Sequence, residues 1–160
     1  MVMIMGYAAV ALAMTFAHSY LIRKDKSSIA KAAIVNRSLQ IGSLLIGTGI
    51  VLGAIWASKS WGRFWDWDPK ETWALITFLS LFFTTTLYHL KKINDYGLVL
   101  GAIFCFMLVI MTWIGVNYLS SRSLHSYINL GQNISHIIIY LVLELCFIIY
   151  SSIKWHSRGY

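Results

Sequence analysis

Tryptophan is concentrated in one short stretch of this 160-residue chain. Residues 61–73 read WGRFWDWDPKETW and hold four of the seven tryptophans, a further aromatic ring and two cations. Indole rings can stack on a large planar aromatic ligand, and cations can pair with carboxylates that such a ligand carries. Haem has that shape and carries two propionates. The candidate cofactor-binding residues are Trp61, Arg63, Trp65, Trp67, Asp68, Lys70 and Trp73.

An interfacial aromatic belt is the simpler interpretation of each single tryptophan, because indole favours the headgroup region of a bilayer. A belt is distributed over all helix ends, whereas these rings lie in one loop. The concentration therefore favours a ligand site, and the belt remains the alternative.

The same segment contains the start of a helix. Asp68 is a good N-cap, Pro69 suits the first helical position, and Glu71 completes a capping box. The sequence thus predicts a tryptophan-rich loop that leads directly into a helix.

Five histidines offer imidazole, a common axial ligand of haem iron: His18, His89, His125, His136 and His156. His89 lies near the end of an apolar stretch, where ionisable groups are costly and are functional candidates. His125 lies in a loop predicted to share a side with the tryptophans, where an iron ligand for that site would be required. These two are the candidate metal ligands.

The other three histidines have weaker cases. His18 is expected at about the depth of His89, so a bis-histidine pair is geometrically possible. His136 lies eight residues before Glu144 in the last apolar stretch, which favours a structural hydrogen bond between helices over metal binding. Glu144 is expected to face the bundle interior, and His156 to be solvated. No side chain is assigned as a general acid or base.

These residues are carried by a strongly apolar chain, with 58% hydrophobic and 12% charged residues. Apolar stretches of about 18 to 23 residues separate the charges, the length that crosses a bilayer core of about 30 Å as a helix. They lack the alternation of β-barrel strands. We predict an all-α polytopic membrane bundle, one domain over 1–160, with spans at about 1–22, 39–58, 72–90, 96–116 and 130–152.

Lysine and arginine are divided unequally between the two sides of this bundle. Nine lie on the side of residues 23–38, 91–92 and 154–158, and four lie on the other. The positive-inside rule makes the first side cytoplasmic, or its organellar equivalent. The tryptophan segment and the 117–129 loop then face outward. Topology accounts for the net charge of +7 without a nucleic-acid partner.

Two further features narrow the functional class. No basic residue precedes the first apolar stretch, so it is expected to be a retained span and not a signal peptide. Cys105 and Cys146 both fall within spans and form no CxxC motif, which argues against cysteine metal ligation and thiol catalysis.

Two motifs resemble one known family. WGRFWDWDPKETWA at 61–74 is similar to the WWD signature of haem-handling membrane proteins, in the form found in CcsA, the system II cytochrome c synthetase family. GVNY at 115–118 and LHSY at 124–127 are similar to that family's GVN…GLHSY segment, with Ser123 in place of its glycine. The resemblance covers about residues 40–130, with both motifs in the family's order.

The resemblance implies a role in cytochrome c biogenesis. Haem b, handled as a transient substrate, would be bound and presented on the outer face for covalent attachment to the CxxCH motif of apocytochrome c. His125 would be an external axial ligand, and His89 an intramembrane ligand during passage of haem from the inner side. The chain would form part of a cytochrome c synthetase (haem lyase) complex. Its implied partners are apocytochrome c and a CcsB-type membrane protein, in a bacterial inner membrane or a thylakoid membrane.

The chain departs from the family's pattern at its start. In the family the second external histidine precedes the span that corresponds to 1–22, so this chain is expected to be the C-terminal half of a synthetase core. Two alternatives remain open. One is a haem exporter or chaperone-loading protein without covalent chemistry, and the other is a non-catalytic scaffold whose tryptophans anchor the loop.

Overall fold

The computed structural model describes residues 1–23, 28–116 and 135–157, and within these ranges it contains helices and no strand. Four of the helices are long and apolar enough to cross a membrane, which confirms the predicted all-α membrane bundle. The helices are α1 (Val2–Ile22), α2 (Ser28–Trp61), α3 (Pro69–His89), α4 (Asp95–Ile110, continued by a π-helix at Met111–Gly115) and α5 (Ser135–Ser157).

Helix α2 is longer than the span predicted within it. Its 34 residues rise about 51 Å at about 1.5 Å per residue, against a hydrocarbon core of about 30 Å. The excess lies at its N-terminal end, where Lys31 and Arg37 sit on the helix. Most of the connection expected at 23–38 is therefore helical.

Helix α3 has 21 residues, which is long enough to cross a membrane. Among the described helices it is the one whose composition is not apolar enough to count as a candidate span. Threonines dilute its hydrophobicity, but two of their hydroxyls are satisfied within the helix. Thr77 Oγ1 donates to the Trp73 carbonyl at 2.9 Å, and Thr85 Oγ1 donates to the Leu81 carbonyl at 2.9 Å. Such back-bonding lowers the cost of placing these hydroxyls in apolar surroundings, and α3 packs between α2 and α4.

The closest helix pair is α1 with α2, and two glycines allow the approach. A Cβ atom on Gly6 would lie 2.7 Å from Ile46 Cγ1, and one on Gly42 would lie 2.7 Å from Val10 Cγ2. In a lipid bilayer the hydrophobic effect does not drive helices together, so they associate through close packing. Small residues at the contact allow the two backbones to approach closely. The core of the bundle continues from this contact through the buried residues Ala13, Ala17, Val35, Leu39, Leu81, Leu98, Val99, Ala102 and Ile103.

Successive helices run in opposite directions, so the bundle has two ends with different chemistry. We call the end defined by Tyr7, Trp56, the segment 61–73 and Trp113 the tryptophan end. The opposite end, which we call the lysine end, is defined by Tyr20, His89, Lys91, Lys92 and Trp155, all of which line one open cavity.

Helix α5 is mostly exposed on the outside of the other four helices. At the lysine end it is attached to α4 by Tyr96, whose hydroxyl donates to Ser152 Oγ at 3.0 Å. The Tyr96 ring also stacks on Trp155, with centroids 4.3 Å apart and an interplanar angle of 16°. These contacts fix the last turns of α5.

We expect Gly6→Val to destabilise the protein by about 1–3 kcal/mol, because the added methyl groups meet Ile46 and the α2 backbone in a close-packed core. Gly53→Val is the matched control, since a Cβ at Gly53 meets nothing within 4 Å. Unfolding of both variants in detergent micelles, followed by tryptophan fluorescence, measures the difference. Equal stabilities would contradict the close approach of α1 and α2.

Candidate functional site

The tryptophan end contains a cavity of about 320 Å³, a volume typical of a small-molecule site. Residues from α1, α2, α3, the π-helix and the 62–68 loop all contribute to its wall. Its aromatic and charged lining includes Tyr7, Trp56, Phe64, Trp65, Lys70 and Trp113. The predicted tryptophan segment therefore closes over a composite pocket at the end of the bundle.

Two residues in left-handed backbone conformations shape the loop that covers the cavity. Gly62 has φ of 74°, which glycine adopts at little cost, and it ends α2. Trp67 has φ of 56°, which is unusual for a bulky side chain and is held only when its surroundings enforce it. Thr72 Oγ1 donates to the Trp67 carbonyl at 3.4 Å and supplies part of that restraint.

The predicted capping box is present and anchors the loop to α3. Asp68 Oδ1 accepts from the Lys70 N–H at 2.8 Å, and Glu71 Oε2 accepts from the Asp68 N–H at 3.4 Å. The same Glu71 oxygen also accepts from the Asp66 N–H at 3.0 Å. One carboxylate thus ties both ends of the 66–68 turn to the first turn of α3.

The indoles of this end do not form one coplanar sheet. Trp65 and Trp67 meet edge to face, with centroids 5.9 Å apart at 85°, and Trp56 and Trp61 do the same at 5.0 Å and 81°. Trp67 is 70% exposed. In an edge-to-face pair the two rings are nearly perpendicular, so each pair offers ring faces in two different orientations to a ligand.

The donors at the cavity fit an aromatic ligand that carries an anionic group. Trp65 Nε1 is buried and has no acceptor among the described residues, and an unsatisfied buried donor is a costly feature that is uncommon in folded proteins. Lys70 also lines the cavity. Burial lowers the pKa of its amine, and the nearby Asp68 carboxylate acts in the opposite direction. A carboxylate ligand would supply the acceptor that Trp65 Nε1 lacks among the described residues, and it would lie beside the Lys70 amine.

The remaining predicted residues of the segment lie around the cavity and do not line it. Arg63 pairs with Asp66, with Nη2 and Oδ2 2.7 Å apart on the exposed surface. Trp61 packs against Trp56, Asp68 is buried as the helix cap, and half-buried Trp73 accepts through its carbonyl from Thr77. Of the predicted residues, Trp65 and Lys70 therefore line the cavity, and these others surround or support the loop.

Three aromatic residues outside the motif were missed by the sequence analysis. Tyr7, Trp56 and Trp113 line the same cavity, and the rings of Tyr7 and Trp113 lie 6.3 Å apart. The predicted spans already placed all three near the same side of the membrane as the tryptophan segment. The predicted topology could therefore have pointed to them as candidates for the same site.

Trp113 is presented by the π-helix Met111–Gly115. Single π-helical turns occur frequently at functional sites. This one is fixed by Thr112, whose buried hydroxyl lies 2.8 Å from that of Thr77 on α3 and donates to it, while Thr77 donates to the Trp73 carbonyl. The hydroxyl pair therefore ties the turn that carries Trp113 to the helix that carries the capped loop.

His89 lies at the other end of α3, about 30 Å from Pro69 at about 1.5 Å rise per residue. Its Nε2 atom contacts the side-chain amide of Gln40 on α2. It also lines the cavity of about 1070 Å³ at the lysine end, together with Lys91 and Lys92. His89 and the tryptophans are therefore separate sites.

The structure does not bring His18 and His89 together as a pair. The Nε2 atom of His18 is engaged instead by Glu144, which is buried as expected. His136 is exposed on the same helix, whereas Glu144 is buried and pairs with His18. His125 lies outside the described residues, as does the 117–129 loop.

A family model described as cytochrome c assembly protein matches residues 1–125. The chain belongs to the cytochrome c assembly protein family. Its relatives include cytochrome c biogenesis protein CcsA from Glycine max, 36% identical over 91 residues. The CcsA proteins of Prochlorococcus marinus strain MIT 9312 and Populus trichocarpa are 40% and 43% identical, each over 94 residues. These matches confirm the resemblance inferred from the WWD segment.

Membership of the cytochrome c assembly family gives the chain a role in cytochrome c biogenesis. In each of the three relatives the match covers 57% of this chain and 28–29% of the relative. The matched part therefore spans less than a third of the length of those CcsA proteins.

We expect Asp68→Ala to lower the free energy of unfolding by about 1 kcal/mol, because the first turn of α3 loses its cap. Asp68→Asn should retain most of the stability, since the amide oxygen also caps. Asp66→Ala is the control on the same turn. It removes only an exposed ion pair worth less than about 1 kcal/mol. Denaturant titration in micelles would measure all three, and a cost for Asp68→Asn as large as for alanine would argue against capping.

Proposed function

We propose that the chain binds haem at the tryptophan end and presents it on the outer face of the membrane to apocytochrome c. The observation that carries this proposal is the cavity itself. Indoles from three separate elements line it beside a lysine and a buried indole N–H that lacks an acceptor. That combination of flat aromatic surface and donors suits a porphyrin with propionates better than it suits a lipid-facing belt.

Each element of the site has a distinct task in this proposal. Trp56, Trp65 and Trp113 offer aromatic surface to the macrocycle, while Lys70 and Trp65 Nε1 take a propionate. His125 supplies an axial imidazole to the iron. Haem contributes its two vinyl groups, and the thiols of a CxxCH motif add to them. The protein therefore orients the reactants and excludes water, and no side chain is required as a general base.

His89 is proposed to hold haem within the membrane before it reaches the tryptophan end. Its Nε2 atom, the nitrogen that would meet iron, faces the Gln40 amide. The amide donates to this nitrogen and orients the imidazole, and it would have to move aside when His89 ligates iron. Lys91 and Lys92 line the same cavity and suit the propionates of entering haem.

The proposed setting follows from the charge distribution and from the family. The tryptophan end faces the periplasm or lumen, and the lysine end faces the cytoplasm or stroma. The membrane is a bacterial inner membrane or a thylakoid membrane. A CcsB-type partner supplies the remaining haem ligands, so this chain acts as part of a synthetase complex.

Substitutions in the purified complex test haem binding. We expect His125→Gly to lose part of the haem, measured by the Soret band, and to recover it when imidazole is added. Trp65→Ala, Trp67→Ala and Trp113→Ala should weaken haem retention several-fold while membrane insertion is unchanged. Phe83→Ala is the matched control, because this exposed ring of α3 lines neither proposed haem cavity.

The outcomes separate the alternatives left open by the sequence. Parallel losses of haem and insertion would favour a scaffold whose tryptophans only anchor the loop. Retained haem without thioether formation on a CxxCH peptide would favour an exporter or chaperone-loading protein. An unchanged haem yield in His125→Gly would remove His125 from the site.

Cysteine labelling tests the orientation. In a chain with Cys105→Ala and Cys146→Ala, a membrane-impermeant maleimide should label Phe64→Cys in intact cells. It should label Lys92→Cys only after permeabilisation. Both positions are exposed in the structure, so access through the membrane decides the result. The reverse pattern would place the tryptophan end inside and contradict the proposal.

A further inference from the structure

An ionisable pair joins the first and last helices within the bundle. His18 Nε2 on α1 lies 3.1 Å from Glu144 Oε2 on α5, a contact between residues 126 positions apart. Glu144 is only 8% exposed. The imidazole also stacks on Phe147, with ring centroids 4.7 Å apart and an interplanar angle of 20°. A lone carboxylate at such a position would be costly, so its partner matters.

The hydrogen-bond pattern determines how many protons this pair holds. His18 Nδ1 lies 2.9 Å from the Met14 carbonyl oxygen, which can only accept, so Nδ1 carries a proton. The facing atoms Nε2 and Oε2 then share one further proton. The pair is either imidazolium with carboxylate or imidazole with carboxylic acid, and both forms have no net charge. The buried hydroxyl of Tyr140 is another titratable group beside this carboxylate.

Most of α5 has no comparable anchor. The contacts of Tyr96 hold only its last turns at the lysine end. Toward its N-terminal end, side chains such as Ile138, Val142 and Leu143 are exposed on the outside of the bundle. Glu144 is the buried polar residue that attaches the middle of α5 to α1.

We propose that His18 and Glu144 form a neutral, one-proton clamp that docks the middle of α5 on α1. The clamp therefore positions the middle of α5 against α1. His18 and Glu144 do not line the cavity at the tryptophan end.

Removal of one partner and removal of both have opposite consequences. A single substitution leaves the other polar group buried and unpaired, which destabilises strongly, whereas an apolar pair of similar volume is often neutral. Glu144→Gln should keep the clamp, because its amide N–H can donate to neutral Nε2. The clamp thus predicts that single leucine variants are defective and that the double variant is restored. Simple loss of packing would make the double variant at least as defective as the single ones.

Cross-linking in the membrane measures the docking of α5 directly. Leu21 and Tyr150 line one cavity between α1 and α5. Leu21→Cys and Tyr150→Cys can be joined by a short bismaleimide in a chain with Cys105→Ala, Cys146→Ala and Tyr96→Ala. The Tyr96→Ala change removes the separate contacts that hold the last turns of α5. We expect His18→Leu and Glu144→Leu each to reduce cross-linking several-fold.

The double variant His18→Leu/Glu144→Leu should restore cross-linking, and Glu144→Gln should retain it. His136→Leu, an exposed histidine on the same helix, should have no effect. Single leucine variants that cross-link as well as the parent would overturn the clamp. So would a double variant as defective as the singles, whether the defect is in cross-linking or in accumulation of the protein.

Discussion

The absence of water from the bilayer core determines how this chain uses its polar groups. A hydroxyl, imidazole or carboxyl placed along a span is stabilised when it finds a partner inside the protein. Thr77 and Thr85 return their hydroxyls to their own helix, and Glu144 is matched by His18 from a distant helix. These satisfied groups serve architecture, whereas Trp65 Nε1 lines a cavity and is a buried donor without a partner among the described residues.

The same constraint explains why the candidate site lies at an end of the bundle. Irregular backbone is tolerated only where it leaves the hydrocarbon or lines a cavity. The 62–68 loop meets that condition, because the capping box and the Glu71 carboxylate pin it over the ends of the helices. The left-handed backbone at Trp67 is then a consequence of a loop held at both ends. A rigid cover of this kind suits presentation of a planar ligand, since the rings are positioned before the ligand arrives.

The family fixes a role in cytochrome c biogenesis. In the function we propose, the reacting groups belong to haem and to the apocytochrome, so the membrane protein would contribute a platform, iron ligands and a defined approach. The tryptophan end and the lysine end are the two places proposed for these tasks, on opposite sides of the bundle. Helix α3 connects them, with the capped loop at its start and His89 in its last turn.

The sequence by itself determined the helical class, the capping box and the family, because these depend on local patterns of hydrophobicity, capping residues and contiguous motifs. It also placed Lys70 and Trp65 among the ligand-binding candidates. It did not separate them from Arg63 or Trp73, which do not line the cavity. Residues that line the cavity and residues that hold the loop are of the same types, namely tryptophan and a cation, so residue type alone cannot distinguish them. Only the tertiary structure decided that Tyr7, Trp56 and Trp113 share the cavity, and that Glu144 meets His18 and not His136. Those outcomes depend on which helices are neighbours and on how each is rotated, and no single helix encodes that information.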